Sequence, residues 1–136
     1  MSGKNKKIVG CGFHHVYMRV RDMERSLKFY IEGLGFVERV SWGEGPQKMV
    51  LLDTGDGNYL EMSQGDPATA DGVFLHVALR ADDCDAALED ARAAGAEVTM
   101  EPRDVTLPSD PPIPVRIAFF KGPDGEVIEL FQNEAT

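Results

Sequence analysis

Similar residues recur about 61 positions apart along this chain, and that repeat limits the folds open to it. His15 and His76 are 61 residues apart, as are Asp22 and Asp83, and Leu27 and Leu88. Gly35 and Gly95 are 60 apart. Glu61 and Glu129 are 68 apart, and the excess falls in residues 101–114, which hold five of the eight prolines. A duplication makes each copy one supersecondary unit that repeats its architecture. With 136 residues in all, the copies are small, and the chain is one domain or two very small ones.

Local patterns give each copy the same element order. His14–Val20 alternates apolar and polar residues, as a half-buried strand does. Asp22 is placed to cap a helix, and Met23, Leu27, Tyr30, Ile31 and Leu34 form its single apolar face. Gly33 and Gly35 end it. Strands are expected at Phe36–Val40, Met49–Leu52 and Tyr59–Ser63, with a loop over Trp42–Gln47 and a tight turn at Gly55–Asn58. The pattern restarts at Val73–Arg80. Asp82 or Asp83 caps a helix to about Ala94, and Gly95 stops it. Ala96–Met100, Val115–Lys121 and Glu126–Gln132 read as strands. The prolines make 101–114 a long irregular loop. The expected order is therefore βαβββ twice. A lead-in covers 1–12, a single domain 13–136, with the first module at about 13–64, a connector at 65–72 and the second module at about 73–132.

Charge narrows the partners. There are 14 Lys+Arg against 23 Asp+Glu, a formal net charge of −9. Nucleic acids and anionic membranes need basic surfaces, so neither is an expected partner. No apolar stretch approaches a membrane span. Cys11 and Cys84 are too few for a disulfide framework and form no CxxC pair, which favours reduced thiols and a cytoplasmic protein.

Strand periodicity then gathers the chemistry. His15 shares a strand face with Tyr17 and Arg19, and His76 with Ala78 and Arg80. Glu61 shares one with Tyr59 and Ser63, and Glu129 with Val127 and Phe131. The opposite faces are apolar and are expected to pack under the helices. His14 is read onto that opposite face and is not a ligand candidate. Two imidazoles and two carboxylates directed to one cavity suit a borderline divalent metal such as Ni, Co, Zn, Mn or Fe. Coordination also offsets the cost of burying a carboxylate. A lone strand His or Glu is usually just hydrogen-bonded; it is the matched placement in a duplication that favours ligation.

Residues 13–132 resemble the vicinal oxygen chelate (glyoxalase/bleomycin resistance/dioxygenase) superfamily through HHVYMRVRDMERSLKFYIEGLGF, YLEMS, LHVALRADD and GPDGEVIELFQ. The resemblance implies an α+β fold of paired βαβββ modules. These form a U-shaped, mostly antiparallel eight-stranded sheet around a metal cavity, with the helices outside. It implies metal ligation by His15, Glu61, His76 and Glu129. That ligand set is most similar to glyoxalase I-like proteins, and the short loops to the bacterial class that favours nickel or cobalt.

The same resemblance implies the activity of a metal-dependent lyase or isomerase. Such an enzyme acts on a small oxygen-chelating substrate, by proton transfer through a metal-stabilised enediolate. By resemblance Glu129 is the leading catalytic base, with Glu61 its counterpart. Arg19 matches an arginine that in glyoxalase I holds glutathione, and Tyr17, Tyr59 and Phe131 would line the cavity. The family also implies a homodimer. The fold hosts other chemistries, so an epimerase, an iron-dependent dioxygenase and a non-catalytic binding or resistance protein are the alternatives. Two departures bear on the substrate. Gly65 stands where glyoxalase I has an asparagine that contacts glutathione, with Gln64 the nearest amide. Segment 41–48 is short, with Glu44 beside its single cation Lys48, and 101–114 offers only Arg103. Trp42 is read as a packing or interface residue that could also close over a ligand. Arg80 is open to an ion pair or an anion, and Cys84 lacks a base.

Overall fold

A computed structural model describes residues 3–33, 35–68 and 72–136. Among them are eight strands and two α-helices, an α+β fold: β1 (Phe13–Val20), α1 (Met23–Leu27), β2 (Val37–Trp42), β3 (Met49–Asp53), β4 (Tyr59–Gln64), β5 (Phe74–Arg80), α2 (Cys84–Ala93), β6 (Glu97–Leu107), β7 (Ile113–Lys121) and β8 (Val127–Gln132). The order is βαβββ twice, as the duplication implies. The chain divides into two compact units. The first comprises the described residues of His15–His76 with Leu107–Ile113. The second comprises those of Met1–His14, Val77–Thr106 and Pro114–Thr136.

In the first unit the strands run in the order β2-β3-β4-β1. β1 and β4 are parallel, and the β2–β3 and β3–β4 ladders are antiparallel. The β1–β4 register sets His15 opposite Tyr59, Tyr17 opposite Glu61 and Arg19 opposite Ser63. Residues paired across a ladder share a face, so the polar residues of both strands line one side. Met18, Val20, Val50, Leu52 and Met62 are buried with Met23, and Leu27, Tyr30, Ile31 and Phe36 pack against them. Asp22 caps α1 by accepting from the Arg25 amide at 3.0 Å. The helix is α-helical for only five residues and continues as a π-helix over Lys28–Gly33. Apolar spacing identifies the buried face but not whether its bonds close to i+4 or i+5. Leu34, the last expected member of that face, lies outside the described residues.

The second unit repeats the plan, in the order β5-β8-β7-β6. β5 and β8 are parallel, and β7 and β8 are antiparallel. Asp83 caps α2 through the Ala86 amide at 2.9 Å. Cys84, Ala87 and Leu88 of α2 pack on Ala118, Phe120 and Leu130. The lead-in is docked. Ile8 packs on this core, the Val9 carbonyl accepts from the Asp82 amide, and the Gly12 carbonyl accepts from the Arg80 amide. Gly10 has φ +72°, and the Asp82 carboxylate fills the space a side chain there would need.

Two expectations are corrected. The irregular loop expected over 101–114 is confined to 108–112, because β6 runs to Leu107 and β7 begins at Ile113. Pro102 fits within β6 because that strand ends its run, where a missing ladder donor is tolerated. Arg116 holds β6 in place, bonding Asp104 at 3.0 Å and Asp85 of α2 at 2.9 Å. Trp42 is not in a loop; it is the last residue of β2, paired with Met49. Among the described residues no helix is long and apolar enough to cross a membrane.

Candidate metal centre

Three of the four sequence-predicted ligands lie in the first unit, and the structure brings them together. His15 sits on β1 and is only 2% exposed. His76 is on β5, whose residues up to His76 belong to this same unit, and its Nε2 lies 3.3 Å from Nε2 of His15. The rings meet edge to face with centroids 5.4 Å apart. Each ring therefore directs its Nε2 at the same small space. Glu61 on β4 places Oε2 3.8 Å from His15 Nε2, and both side chains are largely shielded from solvent.

The donor set can be tested against a metal ion. Two nitrogens bound at about 2.0–2.1 Å to one zinc-like ion are separated by about 2.9 Å at a right angle and about 3.4 Å at the tetrahedral angle. The observed imidazole separation lies between these limits. Two donors on one ion also cannot be more than about 4.2 Å apart, and the His15–Glu61 distance meets that bound. Nitrogen and carboxylate donors together suit the borderline divalent metals.

Around these groups, Tyr17 bonds Ser63 through the two hydroxyls at 2.6 Å, and its ring centroid is 5.0 Å from that of His76. Tyr59 is buried opposite His15. Arg19 lies across Gly65, where an added Cβ would meet the arginine Cδ at 2.6 Å.

In the second unit, Glu129 is 5% exposed, on β8 between Ala78 of β5 and Phe119 of β7. Phe131 is buried under His14, with ring centroids 4.3 Å apart. His14 is fully buried there and stacks on this residue of β8. A hydrogen bond explains its position. The Thr136 hydroxyl lies 2.6 Å from His14 Nε2 and bonds Asn133 Oδ1 at 3.0 Å. Asn133 Oδ1 only accepts, so the hydroxyl hydrogen goes there and His14 Nε2 donates its own. That nitrogen is thereby engaged with Thr136.

Other residues find plain roles. Gln64 Oε1 accepts from the Met23 amide at 3.0 Å, and Gln132 Oε1 from the Cys84 amide at 2.8 Å. Each closes the start of a helix, and Gln64 Oε1 is thereby engaged. The signal was present in the sequence, since each glutamine stands three residues after a candidate ligand glutamate. Arg80 donates Nη1 to the Phe13 carbonyl. Burial pushes the Cys84 thiol up to about 11, which makes it a poor nucleophile.

Duplicated βαβββ modules that present histidines and glutamates on strand faces define a class of small metal-chelating and ligand-binding proteins. The sequence comparison gives that class its name. Residues 12–130 match the Glyoxalase/Bleomycin resistance protein/Dioxygenase superfamily, and the chain belongs to it. It is 33% identical over 134 residues to a probable lactoylglutathione lyase of Vibrio parahaemolyticus, covering 88% of this chain and 89% of that protein. It is 32% identical over 131 residues to the lactoylglutathione lyase of Haemophilus influenzae, covering 90% and 93%. Methylmalonyl-CoA epimerase from Mycobacterium tuberculosis has a similar fold, with a TM-score of 0.72 at 19% identity over 98% of this chain and 93% of that one.

Proposed function

We propose that this protein is a glyoxalase I-like, divalent-metal-dependent lyase or isomerase. In this reading it acts on the hemithioacetal of an α-ketoaldehyde and a thiol, as a cytoplasmic homodimer. His15, Glu61, His76 and Glu129 hold one metal ion, with nickel or cobalt favoured over zinc, manganese or iron. The observation that carries the reading is the pair of imidazole nitrogens 3.3 Å apart beside the Glu61 carboxylate. Two relatives named as lactoylglutathione lyases, matched over most of both chains, support it.

A bound divalent ion supplies Lewis-acid stabilisation of charge on substrate oxygens. The chain supplies the proton traffic. Glu129 removes the proton from the carbon beside the carbonyl and returns it to the neighbouring carbon, so the carboxylate ends the cycle as it began. Glu61 is the counterpart that can exchange roles with it. Arg19 offers a cation to an anionic part of the substrate, and Tyr17, Tyr59 and Phe131 give the apolar walls.

Elemental analysis of protein purified without chelator, beside His76→Ala, tests the site. Near-stoichiometric metal in the native protein and its loss in the variant are expected. Reconstitution with Ni, Co, Zn, Mn and Fe then tests turnover, with Glu129→Gln expected to lower kcat by about 10²–10⁴. A native protein that neither carries nor takes up metal defeats the proposal. Tight metal binding without turnover of any hemithioacetal removes the lyase assignment.

A further inference from the structure

Tyr17 and Ser63 stand on neighbouring parallel strands, Tyr17 opposite Glu61 and Ser63 opposite Arg19. They are therefore diagonal neighbours on the face that carries His15 and Glu61. Their hydroxyls are 2.6 Å apart, at the short end for an O–H···O bond. A tyrosine ring has two rotatable side-chain bonds. The strand fixes one end of the side chain, and the Ser63 bond fixes the other. The ring held in this way lies against His76, centroids 5.0 Å apart and inclined by 40°. The imidazole of His15 meets His76 as well, at 5.4 Å and 60°. His76 thus has an aromatic wall provided by a residue that contributes no ligand atom to the site.

We infer that the Ser63–Tyr17 hydroxyl pair is a brace that sets the orientation of the His76 imidazole, and through it the affinity of the metal centre. Tyr17 is here a positioning residue, and Ser63 acts one step further out by holding Tyr17. The inference rests on the metal reading above and adds residues to it. Partners that orient a ligating histidine typically change metal affinity by about 10–100-fold when removed. The brace acts as a unit. Ser63→Ala releases the tyrosine hydroxyl and Tyr17→Phe removes it, so each breaks the same bond and the double variant adds little.

Cobalt(II) is the probe, with its affinity measured by competition against a chelator and its site geometry read from the visible absorption bands. The imidazole resonances of His76 in metal-free protein, assigned with His76→Gln, give a second readout. Tyr17→Phe and Ser63→Ala are each expected to weaken cobalt binding about tenfold and to shift both the bands and the His76 resonances. The double variant is expected to match the singles. Ser63→Thr, which keeps a hydroxyl, restores native values. Tyr17→Leu, which removes the wall, costs up to about 100-fold. Lowered melting temperatures with cobalt affinity, bands and His76 resonances unchanged overturn the inference and leave the pair a structural bond only. If the native protein takes up no cobalt, the metal reading falls and this inference falls with it. Native uptake with indistinguishable variants overturns the inference alone.

Discussion

Gly65→Ala separates a change in substrate grip from a change in fold. The Gly65 amide bonds the Val20 carbonyl at 2.8 Å, extending the β1–β4 ladder by one residue. Its φ is not in the left-handed region, so the backbone accepts alanine without strain. The obstacle is the Arg19 stem, where the new Cβ would meet Cδ at 2.6 Å, Cγ at 3.0 Å and Nε at 3.1 Å. Restoring ordinary contact at about 3.4–4 Å moves the stem by roughly an ångström, within reach of a flexible side chain. Alanine also lowers the entropy of the unfolded chain, worth about 0.4–1 kcal/mol. The two effects oppose each other, so the melting temperature is expected to stay within about 3 °C of native. The guanidinium does not stay in place. A hydrogen bond to a charged group is worth about 1.5–3 kcal/mol, so KM for an anionic thiol adduct is expected to rise by about tenfold or more, with kcat changed little. Arg19→Ala is expected to give the same rise, and the double variant no more. The assay is steady-state turnover of the glutathione adduct of an α-ketoaldehyde beside thermal unfolding. If Gly65→Ala leaves KM unaltered while Arg19→Ala raises it, the close approach does not position the guanidinium and the reasoning is refuted.

Three further outcomes are expected. The Cys84 thiol is raised to about 11 mainly by burial, so the unfolded chain loses this proton first as pH rises. Stability contributed by the thiol is intact below about 9 and falls by about 2 kcal/mol as pH climbs towards 11. Cys84→Ala flattens that slope in denaturant melts taken across the range; an unchanged slope refutes the assignment. Leu88→Ala removes a 1%-exposed side chain from the second unit and is expected to cost about 2–5 kcal/mol in urea unfolding; a loss below about 1 kcal/mol means the site collapses to fill the space. Asp22→Ala and Asp83→Ala each remove an N-cap bond, at about 1 kcal/mol apiece; additive losses in the double variant are expected from caps that do not share partners.

The parts of this fold that the sequence reveals are those written in a local period. Alternation along β1 and β4 assigns His15, Tyr17, Arg19 and Glu61 to one face, and the ladder register agrees. Asp22 and Asp83 stand where caps belong. The π-helical turn is hidden, because Tyr30 and Ile31 keep the same buried face whether the bonds close to i+4 or i+5. The second half of β6 is hidden by proline, whose cost depends on a strand's place in the sheet, and place is not a local property. The partner of His14, the Thr136 hydroxyl 122 residues away, is hidden because nothing local in β1 points to it. The candidate ligands are legible as a repeat. The bonds made by Ser63 and the two glutamines come from pairings between strands and helices that no single stretch of sequence displays.

The two glutamines carry a consequence of their own. Gln64 stands three residues after Glu61, and Gln132 three after Glu129. An odd offset on a strand sends the two side chains to opposite sides. Each strand thus presents its carboxylate on one side while closing a helix start on the other. A slip of one residue in β4 would reverse both at once, turning Glu61 under α1 and withdrawing the amide oxygen from Met23. The misaligned strand would lose its helix cap in the same event that loses its chemistry. A sound fold therefore also fixes the alignment of the strand, and both modules make the same paired arrangement.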